Sequence, residues 1–154
     1  MRRAVIDLDV VTVALWDKGK SGDISRRFIS RVEKGEFYVI TPSLLLDLVN
    51  KWKHKNLRKK IEEFYFVNTD EFVERVQIIQ EIMSKNIDFE ILFNELVKKS
   101  IKEEDITLIL VSSLKNTELI TFNKIHLRNK EVEINEVLSK YALRKIRITS
   151  PAEI

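Results

Sequence analysis

The chain has 154 residues, enough for one domain with a genuine core, and its 44% hydrophobic and 33% charged content suits a soluble globular protein. Three Gly and two Pro argue against a loop-rich all-β fold and against disorder, and the lack of Cys excludes a disulfide framework, a thiolate zinc site and a cysteine nucleophile. The net charge of +3 is mild, so the placement of charge along the chain matters more than its sum.

Met1-Arg2-Arg3 runs straight into a buried strand predicted over residues 3–8. No targeting or lipidation motif is expected there, and a cytoplasmic location is. The apolar stretch from Val10 to Trp16 is far too short to span a membrane. Helices are predicted over 10–16 and 22–34, separated by the turn Lys18-Gly19-Lys20-Ser21-Gly22, with Gly35 at the C-cap of the second. Strand two covers 37–41. Pro42 suits an early helical position, so a helix is predicted over 42–54, then a short one over 56–64. Thr69-Asp70 can cap a long helix over 71–84, which Asn86-Ile87-Asp88 breaks. Helices over 89–100 and 103–115 follow, then strand three over 118–122. A short helix over 132–141 and a final strand over 145–149 lead to Pro151. This alternation predicts an α/β fold with a small, mostly parallel sheet sandwiched by helices. The helical stretch 56–116 is expected to cover one side. No repeat, linker or low-complexity segment divides the chain, which predicts a single domain over 1–154.

Acids recur where strands give way to helices. Asp7 ends Ala4-Val5-Ile6, Asp47 follows Phe37-Tyr38-Val39-Ile40-Thr41, and Asp105 opens the apolar run Ile106 to Val111. After Glu118-Leu119-Ile120-Thr121-Phe122 the matching position holds Asn123, expected to face Asp7. The carboxyl ends of strands in an open α/β sheet line the ligand crevice. Acids gathered there imply a hard divalent cation held by oxygens, and so phosphate-ester chemistry. Each residue also has a plainer role. Asp7 or Asp9 would cap the helix at 10–16, and because Asp9 fits that role at least as well, Asp7 is free for another. Asp47 lies just outside the apolar arc of its helix, where a solvated acid would sit. Asp105, with Glu103 and Glu104, would complement a helix dipole. Asn123 suits a turn.

Taken together, Val5-Ile6-Asp7-Leu8-Asp9, Ser43-Leu44-Leu45-Leu46-Asp47-Leu48, Glu104-Asp105-Ile106-Thr107-Leu108-Ile109-Leu110, Leu119-Ile120-Thr121-Phe122-Asn123-Lys124 and the ending Ile146-Arg147-Ile148-Thr149-Ser150-Pro151 resemble a PIN-domain nuclease across nearly the whole chain. The resemblance implies an α/β/α sandwich and a Mg²⁺- or Mn²⁺-dependent ribonuclease. It makes Asp7, Asp47 and Asp105 the catalytic, metal-binding acids, with Asp9, Thr121 and Asn123 in support. Many members are VapC-type toxins, which implies a small antitoxin protein or a homodimer as partner. The surface expected to take that partner lies on the early helices, around Trp16, Phe28, Leu45 and Trp52. Two positions depart from the family pattern: Asp47 stands where Glu is common, and Asn123 where Asp is common.

The strongest basic run is Lys51-Trp52-Lys53-His54-Lys55-Asn56-Leu57-Arg58-Lys59-Lys60. Lys51, Lys53, Lys55 and Arg58 are candidates to track an RNA backbone, with Trp52 or His54 as a stacking surface. A solvated helix corner with Trp52 in the core would read the same way. Neither His54 nor His126 has metal-ligand spacing. Two rival functions are open. Asp7-Leu8-Asp9-Val10-Val11 fits the opening motif of haloacid-dehalogenase-like phosphatases, with Asp7 as nucleophile and Asp9 as general acid. A PIN-like interaction module without catalysis is the other, motivated by Asp47 and Asn123.

Overall fold

A computed structural model describes residues 1–154. It contains five strands, all parallel: β1 (Arg2–Ile6), β2 (Phe37–Pro42), β3 (Glu71–Val73), β4 (Glu118–Ile120) and β5 (Ile148–Thr149), in the order β3-β2-β1-β4-β5. The helices are α1 (Leu8–Trp16), α2 (Lys20–Glu33), α3 (Ser43–Asn50), α4 (Lys55–Asn68), α5 (Arg75–Ser84), α6 (Phe89–Lys98), α7 (Glu103–Lys115) and α8 (Glu131–Lys140). Short 3₁₀ turns cover Arg128–Lys130 and Pro151–Glu153.

The handedness of crossovers explains the layers. From β1 to β2 to β3 the chain steps in one direction across the sheet, and from β3 to β4 to β5 in the other. Right-handed connections therefore put α1 to α4 on one face and α5 to α8 on the other. The packing agrees: α1 lies against α2 and α4, while α7 lies against β1, β2 and β4 with α5 and α6 outside it. This is the α/β sandwich that the alternation of elements predicts.

Central strands β1 and β2 are apolar on both faces, as a covered parallel sheet requires. Ala4, Val5, Ile6, Val39 and Ile40 are all buried. The consecutive residues Asp105 to Ser113 of α7 are buried too, so this helix is enclosed nearly all round. Its two serines return their hydroxyls to backbone carbonyls, Ser112 to Leu108 and Ser113 to Arg144, both at 2.7 Å. One cluster of 38 buried apolar residues runs through both faces. No helix is long and apolar enough to cross a membrane.

Besides shifts of element ends, among them α1 starting at Leu8, α2 starting at Lys20 inside the predicted turn, β4 ending at Ile120 and β5 shortened to Ile148–Thr149, the structure departs from the sequence reading in three larger ways. The helix predicted over 71–84 starts instead as strand β3. Asp70 explains why: its N–H donates to the Val39 carbonyl at 2.8 Å, and its Oδ2 accepts from the Val39 N–H at 2.8 Å. That double link draws Glu71, Phe72 and Val73 alongside Ile40, Thr41 and Pro42. Three residues are too few to show a strand period. The real N-cap of α5 is Glu74, whose N–H donates to the Gln77 side chain at 2.7 Å. Because β3 interrupts it, the helical stretch 56–116 does not cover one side. Its first helix, α4, packs with α1 and α3. The helix predicted over 42–54 stops at Asn50, with Pro42 as its N-cap, and the next runs longer than expected, over Lys55–Asn68.

Gly35, at φ +81°, ends α2 in the left-handed conformation expected of a glycine C-cap. Gly22 is required for a different reason. A Cβ there would lie 1.9 Å from the Asp17 carbonyl oxygen, at the tight corner between α1 and α2. Gly22→Ala must therefore displace backbone, and it is expected to lower unfolding free energy by at least ~2 kcal/mol. Urea denaturation measures it. A loss under ~0.5 kcal/mol, the size of an ordinary surface change, would show that the corner opens freely.

Candidate functional site

Strand order reverses between β1 and β4, and in parallel sheets such a switch point leaves a crevice at the carboxyl ends. The Asp7 N–H donates to the Ile120 carbonyl at 2.9 Å, carrying the β1–β4 pairing one residue past Ile6. The Asp7 carboxylate is then held twice. Its Oδ1 accepts from the Leu8 N–H at 2.7 Å, and its Oδ2 accepts from the Thr121 hydroxyl at 2.8 Å. Asp7 is the N-cap of α1, because that helix begins at Leu8 and not at residue 10. Asp9, the residue expected to cap, falls inside the first turn. Its side chain instead reaches the end of β4, accepting from the Phe122 N–H at 3.1 Å and facing the Thr121 hydroxyl at 3.3 Å.

Asp105 enters from the opposite helix layer, in the first turn of the enclosed helix α7, and is 8% exposed. The Asn123 side-chain amide donates to its Oδ2 at 3.3 Å. The hydrogen-bond partner of Asn123 in the site is thus Asp105, and Asn123 shares the cleft with Asp7. It also serves as a turn residue, its Oδ1 accepting from the His126 N–H at 3.0 Å and its own N–H donating to the Thr121 hydroxyl at 3.0 Å. Thr121, fully buried, is the common partner of Asp7, Asp9 and the Asn123 backbone.

These groups line one open cleft of about 380 Å³, with Asp7, Asp9, Asp105 and Asn123 joined by Thr12, Trp52, Lys102 and Glu104. Glu104 and Lys102 are members that the sequence did not single out. Glu104 stood there only as one of three adjacent helix-opening acids, and the rotation of α7 alone decides which of them turns inward. Asp47 does not line the cleft. Helix α3 buries Leu45 and Val49, and Asp47, two residues from each, points roughly opposite that stripe into solvent. A larger groove of about 450 Å³ between α1, α2 and α4, lined by Val11, Ala14, Leu15 and Phe64 among others, contains none of the cleft's acids.

The basic run forms the corner between α3 and α4. Lys51, Lys53 and Lys55 are exposed, while Arg58 is half-buried and turned back on the Asn50 carbonyl at 3.3 Å. His54 caps α4, its Nδ1 accepting from the Leu57 N–H at 3.1 Å, and its ring meets Trp16 edge-on at 5.2 Å. His126 is half-buried, and its Nδ1 has no partner. Of the apolar residues expected to be available to a partner protein, Phe28 and Leu45 are buried in the core, whereas Trp16 is 62% exposed. Tyr65 is a buried residue that no sequence signal marked. Its hydroxyl donates to the Ile6 carbonyl at 2.7 Å and so ties α4 to the strand end that presents Asp7.

Gathering acids here has an electrostatic consequence. Desolvation raises the Asp7 pKa above its ordinary 3.8, against the hydrogen bonds from Thr121 and Leu8. Burial, then the Asp7 charge, pushes Asp9 up to about 7. Burial, then Asp7 and Glu104, pushes Asp105 up to about 6. Burial also raises the Tyr65 hydroxyl, reinforced by Asp7 and Asp9. The donors are hard oxygens, the type that Mg²⁺ and Mn²⁺ take. Their arrangement is not a ready-made metal site, however, since no three His, Cys, Asp or Glu side chains converge as a ligand set. The Asp7 and Asp9 oxygens are turned toward Thr121 and backbone N–H groups instead.

No model of a protein family matches the chain, and no curated protein matches it either.

A carboxyl with a raised folded-state pKa is protonated in the fold at pH values where the unfolded chain has already ionised. The folded state then binds more protons, and stability falls as pH rises through that window. For Asp105 the window runs from about 4 to about 6. Asp105→Asn removes the charge and keeps an acceptor for Asn123. In EDTA, its melting temperature is expected to match wild type most closely near pH 3.5, below the unfolded pKa, and to exceed it by ~2–8 °C at pH 8. Thermal unfolding across that pH range checks it. A mutant less stable at pH 8 would mean that the charge is well compensated.

Proposed function

We propose that this cleft hydrolyses phosphodiester bonds of RNA with a Mg²⁺ or Mn²⁺ ion. The observation that carries the reading is the meeting of Asp7, Asp9, Glu104 and Asp105 in one cleft at the sheet's reversal point, with Lys102 the one cation among the lining residues. Such a group of acids is self-repelling, and a hard cation is the countercharge that its oxygens suit. The resemblance to PIN-domain nucleases supports the same chemistry.

In this reading Asp7 and Asp105 would hold the ion. When bound, it would polarise a phosphate oxygen and ease ionisation of a water. Thr121 fixes the rotamer of Asp7 through its hydroxyl, at 2.8 Å. Asp9, with its pKa raised to about 7, can exchange a proton near neutral pH, as a general acid or base must. Asn123 steadies the Asp105 carboxylate through its amide. Asp47 has no part in it. An antitoxin or a second copy as partner rests on the family resemblance alone.

One observation favours a second reading, a phosphatase with Asp7 as nucleophile. Asp9 is in place beside it with a pKa suited to protonating a leaving group. Against it, Asp7 is fastened at both oxygens, and Thr41, in the segment that resembles the second phosphatase motif, is hydrogen-bonded to Thr69 at 2.8 Å.

Incubation of the protein with RNA in Mg²⁺ or Mn²⁺, and with a phosphate monoester in parallel, separates the two readings. RNA cleavage that EDTA stops is the expected result. Asp7→Asn should slow it at least ~100-fold, comparable to losing a principal charge-stabilising group. Asp47→Ala should stay within about threefold, as an exposed residue outside the site. Cleavage that survives chelation, or an Asp47→Ala loss as deep as that of Asp7→Asn, would overturn this assignment.

Asn123 provides a second check. Asn123→Asp replaces a donor to Asp105 by another carboxylate, so the metal-free protein should melt lower, by ~2–6 °C. Added Mn²⁺ should restore the loss by mass action, giving the mutant the larger metal-induced shift. Melting curves with and without Mn²⁺, for both proteins, measure it; equal shifts would place the ion away from Asn123.

A further inference from the structure

The acid cleft occupies the carboxyl edge of the sheet. The opposite, amino edge carries charge of the other sign. Strands β1, β4 and β5 are parallel, so all three begin there. A cavity of about 360 Å³ opens at that edge, lined from three chain segments by Arg2 and Arg3, by Thr117 and Glu118, and by Lys145 and Arg147. Its side chains set four cations against one acid. Arg2 and Asp7 stand five residues apart along one strand and its end, roughly 16 Å in strand geometry, so the two sites are separate.

The plain reading is that these cations serve the fold. The Arg2 Nη2 donates to both Glu118 oxygens, at 2.9 and 2.8 Å. The Arg3 Nε and Nη2 donate to the Lys115 carbonyl at the end of α7, at 3.2 and 3.0 Å. Those bonds leave both groups unfinished, because a guanidinium donates from all of its nitrogens. Arg2 keeps Nε and Nη1, and Arg3 keeps Nη1. Both guanidinium groups are also held in place by aromatic rings, Arg2 over Phe37 at 5.6 Å and Arg3 over Tyr38 at 5.0 Å. The remaining pair has less to do. Arg147 reaches the already paired Glu118 only at 3.5 Å and stays 61% exposed, and exposed Lys145 has no ion-pair partner.

Thr117 is an independent sign. It is 6% exposed, and its hydroxyl has no hydrogen-bond partner in the protein. Buried hydroxyls are nearly always paired. An oxygen-rich anion among the surrounding cations would supply an acceptor.

We propose that this amino-edge pocket binds a diphosphate group, that of inorganic diphosphate or of a nucleotide. Guanidinium forks match phosphate oxygens in geometry as well as charge. A single phosphate monoester carries about −1.5 to −2 charges near pH 7, less than the pocket's excess of three cations, and a second linked phosphate covers the difference. Binding here is independent of the chemistry at the acid cleft.

Calorimetric titration of the whole chain with sodium diphosphate tests the site. EDTA is present and divalent metal absent, so no cation in the acid cleft can recruit the anion. ADP and sulfate are titrated in parallel at equal ionic strength. Saturable binding of diphosphate is expected, with sulfate at least ~10-fold weaker. ADP matching diphosphate would mean that the diphosphate group alone is recognised, and tighter ADP would assign the nucleotide as its source; both support the site. The double variant Lys145→Ala, Arg147→Ala changes only exposed side chains and should weaken binding at least ~10-fold, through lost charge-assisted hydrogen bonds. Lys34→Ala with Lys85→Ala removes two exposed lysines elsewhere and should leave affinity within about twofold, because distant charges are screened.

No saturable binding up to ~10 mM diphosphate, sulfate as tight as diphosphate, unchanged affinity in the Lys145→Ala, Arg147→Ala protein, or an equal loss in the two-lysine control overturns the site. So does an oligouridylate with hydroxyl ends that binds tighter than ADP and loses that binding in the same double variant, which would make the pocket a contact for an RNA backbone.

Discussion

Pairing between β1 and β4 is the constraint on which the rest of the molecule turns. It is the point where the strand order reverses, and the bond from the Asp7 N–H to the Ile120 carbonyl continues it to the rim of the sheet. From there the next residues on both strands are committed. Asp7 must turn into α1, and Thr121 must lie beside it. The Thr121 hydroxyl then does three things with one oxygen: it donates to Asp7, faces Asp9, and accepts from the Asn123 N–H. A valine there would fill similar space and leave those partners without a common anchor.

The second consequence is electrostatic. A sheet edge that collects carboxylates from both helix layers works against its own stability, because burial and like charge both favour the neutral acids. Most of the fold is conventional in its compensations: Arg2 pairs with Glu118 and Lys115 with Glu71. The cleft is the exception, and an exception of that kind is expected where a site is kept ready for a charged ligand. Tyr65 supports it from below, fixing the Ile6 carbonyl and hence the direction in which Asp7 leaves the strand.

Helix rotation decides membership of the cleft. Asp47, midway along α3, and Glu104, in the first turn of α7, are both helical acids, yet only Glu104 enters the cleft. On α3, the buried pair Leu45 and Val49 orients the helix and turns Asp47 outward. On α7, burial of nearly every residue leaves only the first turn open, and that opening brings Glu104 in beside Asp105. Lys102 precedes the helix and reaches the same space. The acid set in the cleft is therefore Asp7, Asp9, Glu104 and Asp105, which only in part is the set that strand-to-helix position suggests.

The sequence by itself determined the class of fold and most of its elements. Apolar runs at Ala4-Val5-Ile6 and Val39-Ile40, the enclosed helix after Asp105 and the glycine at 35 are local signals, and local physics governs them. It also marked Asp7, Asp9, Asp105 and Asn123, because a polar residue at the end of a buried strand or at the opening of a buried helix stands out against its neighbours. Tertiary structure alone decided the rest. Strand β3 exists because Asp70 bonds Val39 across the sheet, a contact that three residues of sequence cannot announce. Which aspartate caps α1 depended on a two-residue difference in where the helix starts, and the Asp7 and Asp9 side chains are bonded to Thr121 and Phe122 just past the end of β4. The exclusion of Asp47 and the entry of Glu104, Lys102 and Trp52 depended on helix rotation and crossover handedness. These are properties of packed elements, and an amino-acid sequence read locally holds no measure of them.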